Sequence, residues 1–465
     1  MSLLIVLAAL AFLMFVAYRG YSVILFAPIA ALGAVLLTDP ALVAPMFTGL
    51  FMDKMVGFLK LYFPVFLLGA VFGKLIEISG FSKSIVAATI RVVGAQRAML
   101  SIVLVCALLT YGGVSLFVVV FAVYPFAAEL FRQSDIPKRL IPGTIALGAF
   151  TFTMDALPGT PQIQNIIPAP FFGTTSWAAP VLGTLGGIFI LIVGMIYLES
   201  RRRRAARNGE GYGDNLLNEP VAFAGEKLAH PLIAILPLLL VGVANFLLTR
   251  WIPGFYGETQ SFVPSVIGSP APIVQEVSKI AAIWAVQGAL LIGIVCVFVF
   301  AWRNVMASFA EGSKNAISGS LLASMNTASE YGFGAVIAAL PGFLAVATAL
   351  KAIPNPLVNE AVSVTALAGI TGSASGGMSI ALAAMADSFI ANANAAGIPM
   401  EVLHRVASMA SGGMDTLPHN GAVITLLAVT GLSHRQSYKD IFAITLIKTT
   451  SVFVIIGLFY LTGWV

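Results

Sequence analysis

Apolar runs separated by short polar punctuation dominate the chain. Residues 2–18, 22–38, 61–80, 177–198, 231–250, 279–302 and 441–463 are nearly free of charge. At ~17–25 residues each, they are long enough to cross ~30 Å of hydrocarbon as helices. The pattern predicts an all-α membrane bundle, because every backbone group in lipid must be paired within its own segment. Two stretches predict something other than a simple crossing. From Arg97 to Arg132 an apolar run leads into TYGGVSLF and then into a second apolar run, with basic residues at both ends. This predicts a re-entrant hairpin over about 97–133 with its tip at Gly112 and Gly113. Segment 357–396 has the same form, with TGSASGGMS at its tip.

The order of short motifs repeats. GAV at 69–71, GGVS at 112–115, Ile136-Pro137 and MDALP at 154–158 return as GAV at 334–336, GGMS at 376–379, Ile398-Pro399 and MDTLP at 414–418, with spacings that agree to within two residues. Four matches in one order at one spacing indicate a duplication. Each copy reads as five crossings plus one hairpin, and an odd number of crossings turns the second copy upside down. The expected organisation is a first inverted repeat over 1–198, a linker over 199–230 and a second repeat over 231–465. Interrupted helices are expected over about 138–172, where Pro158 and Pro161 stop the first half-helix, and over about 400–431, where the segment before Asp415 has equivalent dimensions.

Charge sets the orientation. Hydrophobic residues make up 59% of the chain and charged residues 10%, with a net charge of +5. Arg201, Arg202, Arg203, Arg204 and Arg207 open the linker, which also holds NGEGYGDNLLNEP, and the positive-inside bias puts this loop in the cytoplasm. Counting from it leaves both termini outside. The excess of basic residues marks cytoplasmic loops and does not point to nucleic acid. Cys106 and Cys296 lie in apolar runs, which implies packing residues and no disulfide or metal framework. No GxxxxGK[S/T], HExxH or CxxC occurs, so neither an ATP-driven pump nor an enzyme is expected, and no cofactor is implied. A passive anion channel is a further class, against which the paired hairpins argue.

The breaks carry the candidate chemistry. An interrupted helix exposes carbonyls at one end and N–H groups at the next, each end bearing roughly half a charge, so that the first suits a cation and the second an anion. DALPGTPQIQN supplies Asp155, Thr160, Gln162, Gln164 and Asn165; DTLPHNGAVIT supplies Asp415, Thr416, His419, Asn420 and Thr425. The tips add Gly112, Gly113, Ser115, Ser373, Ser375, Gly376, Gly377 and Ser379, whose small side chains serve either substrate contact or close helix packing. Asp155 and Asp415 are read either as helix caps or as groups that carry a coupling ion. Glu330, in NTASEYGFGAV, is a third candidate for coupling. His419 is read as a donor to a substrate carboxylate, a proton carrier or a packing histidine. Lys74 and Glu77 belong to the cytoplasmic end of their helix.

These residues resemble a known family. The tip TGSASGGMS, the breaks DALPGTPQIQN and DTLPHNGAV and the duplicated organisation are similar to the gluconate:proton symporter (GntP) family of the ion transporter superfamily, over essentially the whole chain. The resemblance implies proton-coupled uptake of small hydroxy-carboxylates across the bacterial inner membrane, by a homodimer whose hairpin-bearing transport domains slide against a scaffold as elevators. Gluconate carriers have a PPHPGP-like run at the first break, whereas this chain has LPGTPQIQN, without a histidine. That departure widens the expected substrates to 3-hydroxybutyrate or another small monocarboxylate, with citrate-like acids as a further alternative. Neither break contains an arginine, which favours one negative charge. Sodium coupling is the alternative to proton coupling.

Overall fold

The structure is a computed structural model describing residues 2–19, 21–94, 97–214, 217–220, 228–263, 272–351, 353–418 and 420–465. Among them, six helices are long and apolar enough to cross a membrane: Pro40–Ile78, Pro180–Arg207, Pro231–Tyr256, Val277–Ala339, Ala374–Ala395 and His434–Thr462. Shorter apolar helices include Ala98–Tyr111 and Gly421–Thr430. The stretch Val277–Ala339 is two helices joined at a kink, where Ala301 leaves helical geometry with φ −131° and ψ 27°. Five of the seven apolar runs fall mainly on the long helices, and the first two, 2–18 and 22–38, form the shorter helices Ser2–Tyr18 and Val23–Thr38.

The outer surface is oily and the interior is unusually polar. Leu37, Leu232 and Leu461 are among many large apolar side chains left exposed, while Arg405, Lys448, Lys138, Asp155, Glu360 and Asp440 are buried. Lipid solvates the outside of such a bundle, so its charges must find partners within.

Two packed helical pairs carry the turns. Ala98–Tyr111 and Leu116–Gln133 meet at residues 112–115, and Pro356–Thr371 and Ala374–Ala395 meet at residues 372–373. Local chemistry explains the second turn. Gly372 ends the first helix at φ +68°, and the Ser373 hydroxyl caps the next by accepting from the Gly376 N–H at 3.1 Å. The Gly376–Ser379 run therefore lies within the first two turns of a helix, whereas Gly112–Ser115 forms a turn; the two matched strings are not in equivalent places.

Two further expectations are corrected. The chain is not wholly α-helical, because Thr259–Phe262 and Ile273–Glu276 pair as an exposed antiparallel ribbon. The helix leading to the first break ends early. Ile141–Ala149 stops at Phe150, Thr151 takes φ −128° and ψ −124°, and only the short helix Phe152–Asp155 follows. Hydroxyls compensate there, Thr151 donating to the Leu147 carbonyl at 2.5 Å and Thr153 to that of Gly148 at 2.9 Å. The described part of the linker packs onto the bundle. Glu210 grips Arg139 in a two-pronged ion pair at 2.5 and 2.7 Å, Glu219 pairs with Lys138 and Arg132, and the Asn218 amide donates to the Ala428 carbonyl at 2.8 Å.

Candidate functional site

Four segments converge around the two aspartates. Asp155 closes the helix Phe152–Asp155, and Asp415 sits in the single turn Gly413–Thr416 that follows Met400–Gly412. Both are buried, yet they are solvated differently. Asp155 forms an ion pair with Lys448 of the final helix, itself fully buried. Asp415 is met by neutral donors: the Ala374 N–H at 2.9 Å, the Gln164 amide at 2.9 Å and the Asn420 amide at 3.3 Å. One carboxylate thus ties together the second break, the second helical turn and the first break.

The carbonyl end of the first break is filled by fixed cations. Lys448 donates to the Phe150 carbonyl at 3.2 Å. Arg405 donates to the Asp155 carbonyl at 2.6 Å, to Asn165 Oδ1 at 2.9 Å and to the Ala178 carbonyl at 2.7 Å. Ser408 adds a hydrogen bond to the Asp155 carbonyl at 2.9 Å. Cations at the C-terminal end of a helix offset its partial negative charge. Gly412 makes the close approach possible, since a Cβ there would fall on the Asp155 carboxylate and the Lys448 ammonium.

The remaining candidates divide into those that brace the site and those with spare bonding capacity. Gln162 donates to the Thr110 carbonyl at 2.7 Å and to that of Val114 at 3.3 Å, fastening the first break to the turn that holds Gly112, Gly113 and Ser115. Asn165 bonds the Thr160 and Ser176 carbonyls, and Asn420 caps Gly421–Thr430 while donating to the Gly372 carbonyl at 2.7 Å. Ser373, Ser375 and Ser379 spend their hydroxyls locally: Ser373 on its cap, Ser375 on Thr327 at 3.3 Å, and Ser379 on the Ser375 carbonyl at 2.7 Å. Gly377 packs directly on the backbone of Ala368. His419 lies outside the described residues.

Several buried polar atoms around the breaks have no hydrogen-bond partner: Thr110 Oγ1, Thr160 Oγ1, Gln164 Oε1, Trp177 Nε1, Ser329 Oγ and Glu330 Oε2. Glu330 lies against the second turn, where a Cβ on Gly376 would overlap its carboxylate. Trp177 covers Gly159 in the same way. Orphaned polar atoms are uncommon in native interiors; these six lie on or beside the turns and breaks, while Glu360, with both carboxyl oxygens unpartnered, is buried further along Pro356–Thr371.

Sequence reasoning missed Arg405, Lys448, His404 and Ser408. An ionisable residue in an apolar run is a default functional candidate, and that rule applied to 441–463 singles out Lys448. No arginine lies in the break sequences themselves, but Arg405 reaches the first break from Met400–Gly412.

Interrupted helices around buried charges, in a bundle with an apolar exterior, are the build of a multi-pass membrane transporter. Over its full length the chain is 59% identical to a Bacillus subtilis (strain 168) protein described as an uncharacterized transporter, YxjC, the match spanning 474 aligned positions and 100% of both chains. The chain belongs to that family: it is a membrane transporter and not an enzyme. Among solved structures, the YdaH transporter of Alcanivorax borkumensis matches with a TM-score of 0.49 and 15% identity, over 92% of this chain and 90% of that one. No protein-family model matches the chain.

Proposed function

We propose that the protein is a proton-coupled symporter of a small organic carboxylate, with hydroxy-acids such as gluconate and 3-hydroxybutyrate as the leading substrates. The observation that carries this reading is the set of unpartnered hydroxyl, amide and carboxyl atoms at the breaks and turns. Thr110, Thr160 and Trp177 offer donors suited to a carboxylate, and Gln164 offers an acceptor suited to a hydroxyl. The site is braced by Asp415, whose three neutral donors suit a fixed anion. Glu330 is the proton carrier in this reading, because a buried carboxyl with an unpartnered oxygen, set against Gly376 at the second turn, is best accommodated neutral. Asp155 is balanced by Lys448 and serves the scaffold of the site.

The two packed helical pairs act as hairpins that slide with their loaded breaks. The working unit is a homodimer in the bacterial inner membrane. Purified protein in proteoliposomes tests the reading, with labelled gluconate, 3-hydroxybutyrate and citrate offered under an imposed proton gradient and separately under a sodium gradient. Accumulation of a hydroxy-monocarboxylate against its gradient, driven by protons, is expected. Accumulation of none of them, or accumulation driven only by sodium, overturns it.

A further inference from the structure

A cation-attracting pocket at the first break already holds a cation that belongs to the chain. The Phe150 carbonyl, where Ile141–Ala149 gives out, and the Asp155 carboxylate converge on the Lys448 ammonium. All three lie in the interior, Lys448 at 0% and Asp155 at 0% relative exposure. Gly412 closes the pocket from the second break, with no room for a side chain between it and the pair. A carbonyl at a helix end together with a carboxylate is the donor set that a bare monovalent cation takes in an interrupted membrane helix. The second break differs: its aspartate is held by one backbone and two side-chain N–H groups.

We propose that Lys448 is a tethered replacement for a coupling cation, occupying an alkali-metal position at the first break and making this half of the site independent of sodium. The proposal deepens the symport reading above and rests on it for the word coupling. The position itself can be tested without any substrate. Lys448 extends its charge on a flexible stem and carries three donors, so it can satisfy both oxygens while remaining part of the final helix. An ion that never leaves contributes no driving force, which assigns the coupling to a mobile proton elsewhere.

The test is binding of radiolabelled sodium, and sodium-dependent thermal stability, in the purified full-length protein, with choline chloride holding ionic strength constant. Wild type is expected to bind no sodium above the Asp155→Asn background and to unfold at the same temperature in either salt. Lys448→Ala is expected to acquire saturable sodium binding and a melting temperature several degrees higher in sodium than in choline, and a second change, Asp155→Asn, should abolish both gains. Sodium binding by wild type that Asp155→Asn removes would overturn the proposal. So would a monodisperse Lys448→Ala that binds none. If Lys448→Ala precipitates in both salts, Lys448→Ser decides the matter: saturable sodium binding that a second change, Asp155→Asn, abolishes supports the proposal, and a monodisperse Lys448→Ser that binds none overturns it. Failure of the uptake panel leaves these measurements unaffected.

Discussion

The side-chain amide of Gln164 donates to the carboxylate of Asp415 at 2.9 Å, across 251 positions of sequence. This bond joins the first break to the second, and the same carboxylate also holds the Ala374 N–H at the start of Ala374–Ala395. Asp415→Asn replaces a charged double acceptor by a single neutral one. Charge-assisted bonds contribute about 1.5–3 kcal/mol each, so initial uptake is expected to fall about tenfold or more, with insertion and size-exclusion profile unchanged. Uptake at the wild-type rate in this variant would refute the bracing role.

Glu330→Gln keeps the shape of the side chain and removes the titrating group. An inward proton gradient should no longer accelerate uptake, while exchange of labelled for unlabelled substrate continues. A variant that still responds fully to the gradient places the proton on another residue. Gly376→Ala, which drives a methyl into the Glu330 carboxylate, should impair both exchange and net uptake.

Removing one partner of a buried ion pair costs about 3–5 kcal/mol, whereas removing both is often nearly neutral. Lys448→Met is therefore expected to be strongly destabilised in thermal unfolding, and Lys448→Met combined with Asp155→Asn should recover most of the loss. A single variant as stable as wild type would mean that the pair contributes little.

Arg405→Lys keeps the charge and loses the fork. The guanidinium reaches the Asp155 carbonyl, Asn165 Oδ1 and the Ala178 carbonyl together, a geometry that an ammonium cannot reproduce. Each acceptor left unpaired costs about 1–3 kcal/mol, and a lowered melting temperature in detergent is the readout.

At the linker the expectation concerns pH. Hydrogen bonds from Arg139 hold Glu210 below its ordinary value of 4.5. A depressed carboxyl contributes stability above its unfolded value and loses it as pH falls through the folded one, so acidification should release the linker. Hydrogen exchange of residues 208–214 should rise at acid pH, and Glu210→Gln should show the higher exchange already at neutral pH.

How much of this was legible in the sequence follows from the range of each interaction. The apolar runs and the turns at 112–115 and 372–373 are local, written in hydropathy and glycine, and they were readable. Asp155 and Asp415 stood out as charges in oily surroundings. The pairing of Asp155 with Lys448, of Arg405 with Asn165 and of Gln164 with Asp415 depends on packing between segments hundreds of positions apart, which no local pattern encodes. The matched GGVS and GGMS strings misled for a related reason. Identical letters took different backbone roles because the turn was set by Gly372 and Ser373 just upstream. The exposed ribbon at 259–276 has no buried face to leave a signature.

Lys448 follows Phe150 by 298 positions, and that interval is also a delay. A ribosome completes the first break long before it makes the helix that neutralises it. A nascent first half therefore enters the bilayer with Asp155 lacking its counter-charge, and the final helix on insertion does more than add one more span: it discharges an electrostatic debt held since the opening third of synthesis. Truncations that lack His434–Thr462 should accordingly be targets of membrane quality control, however well their earlier helices insert.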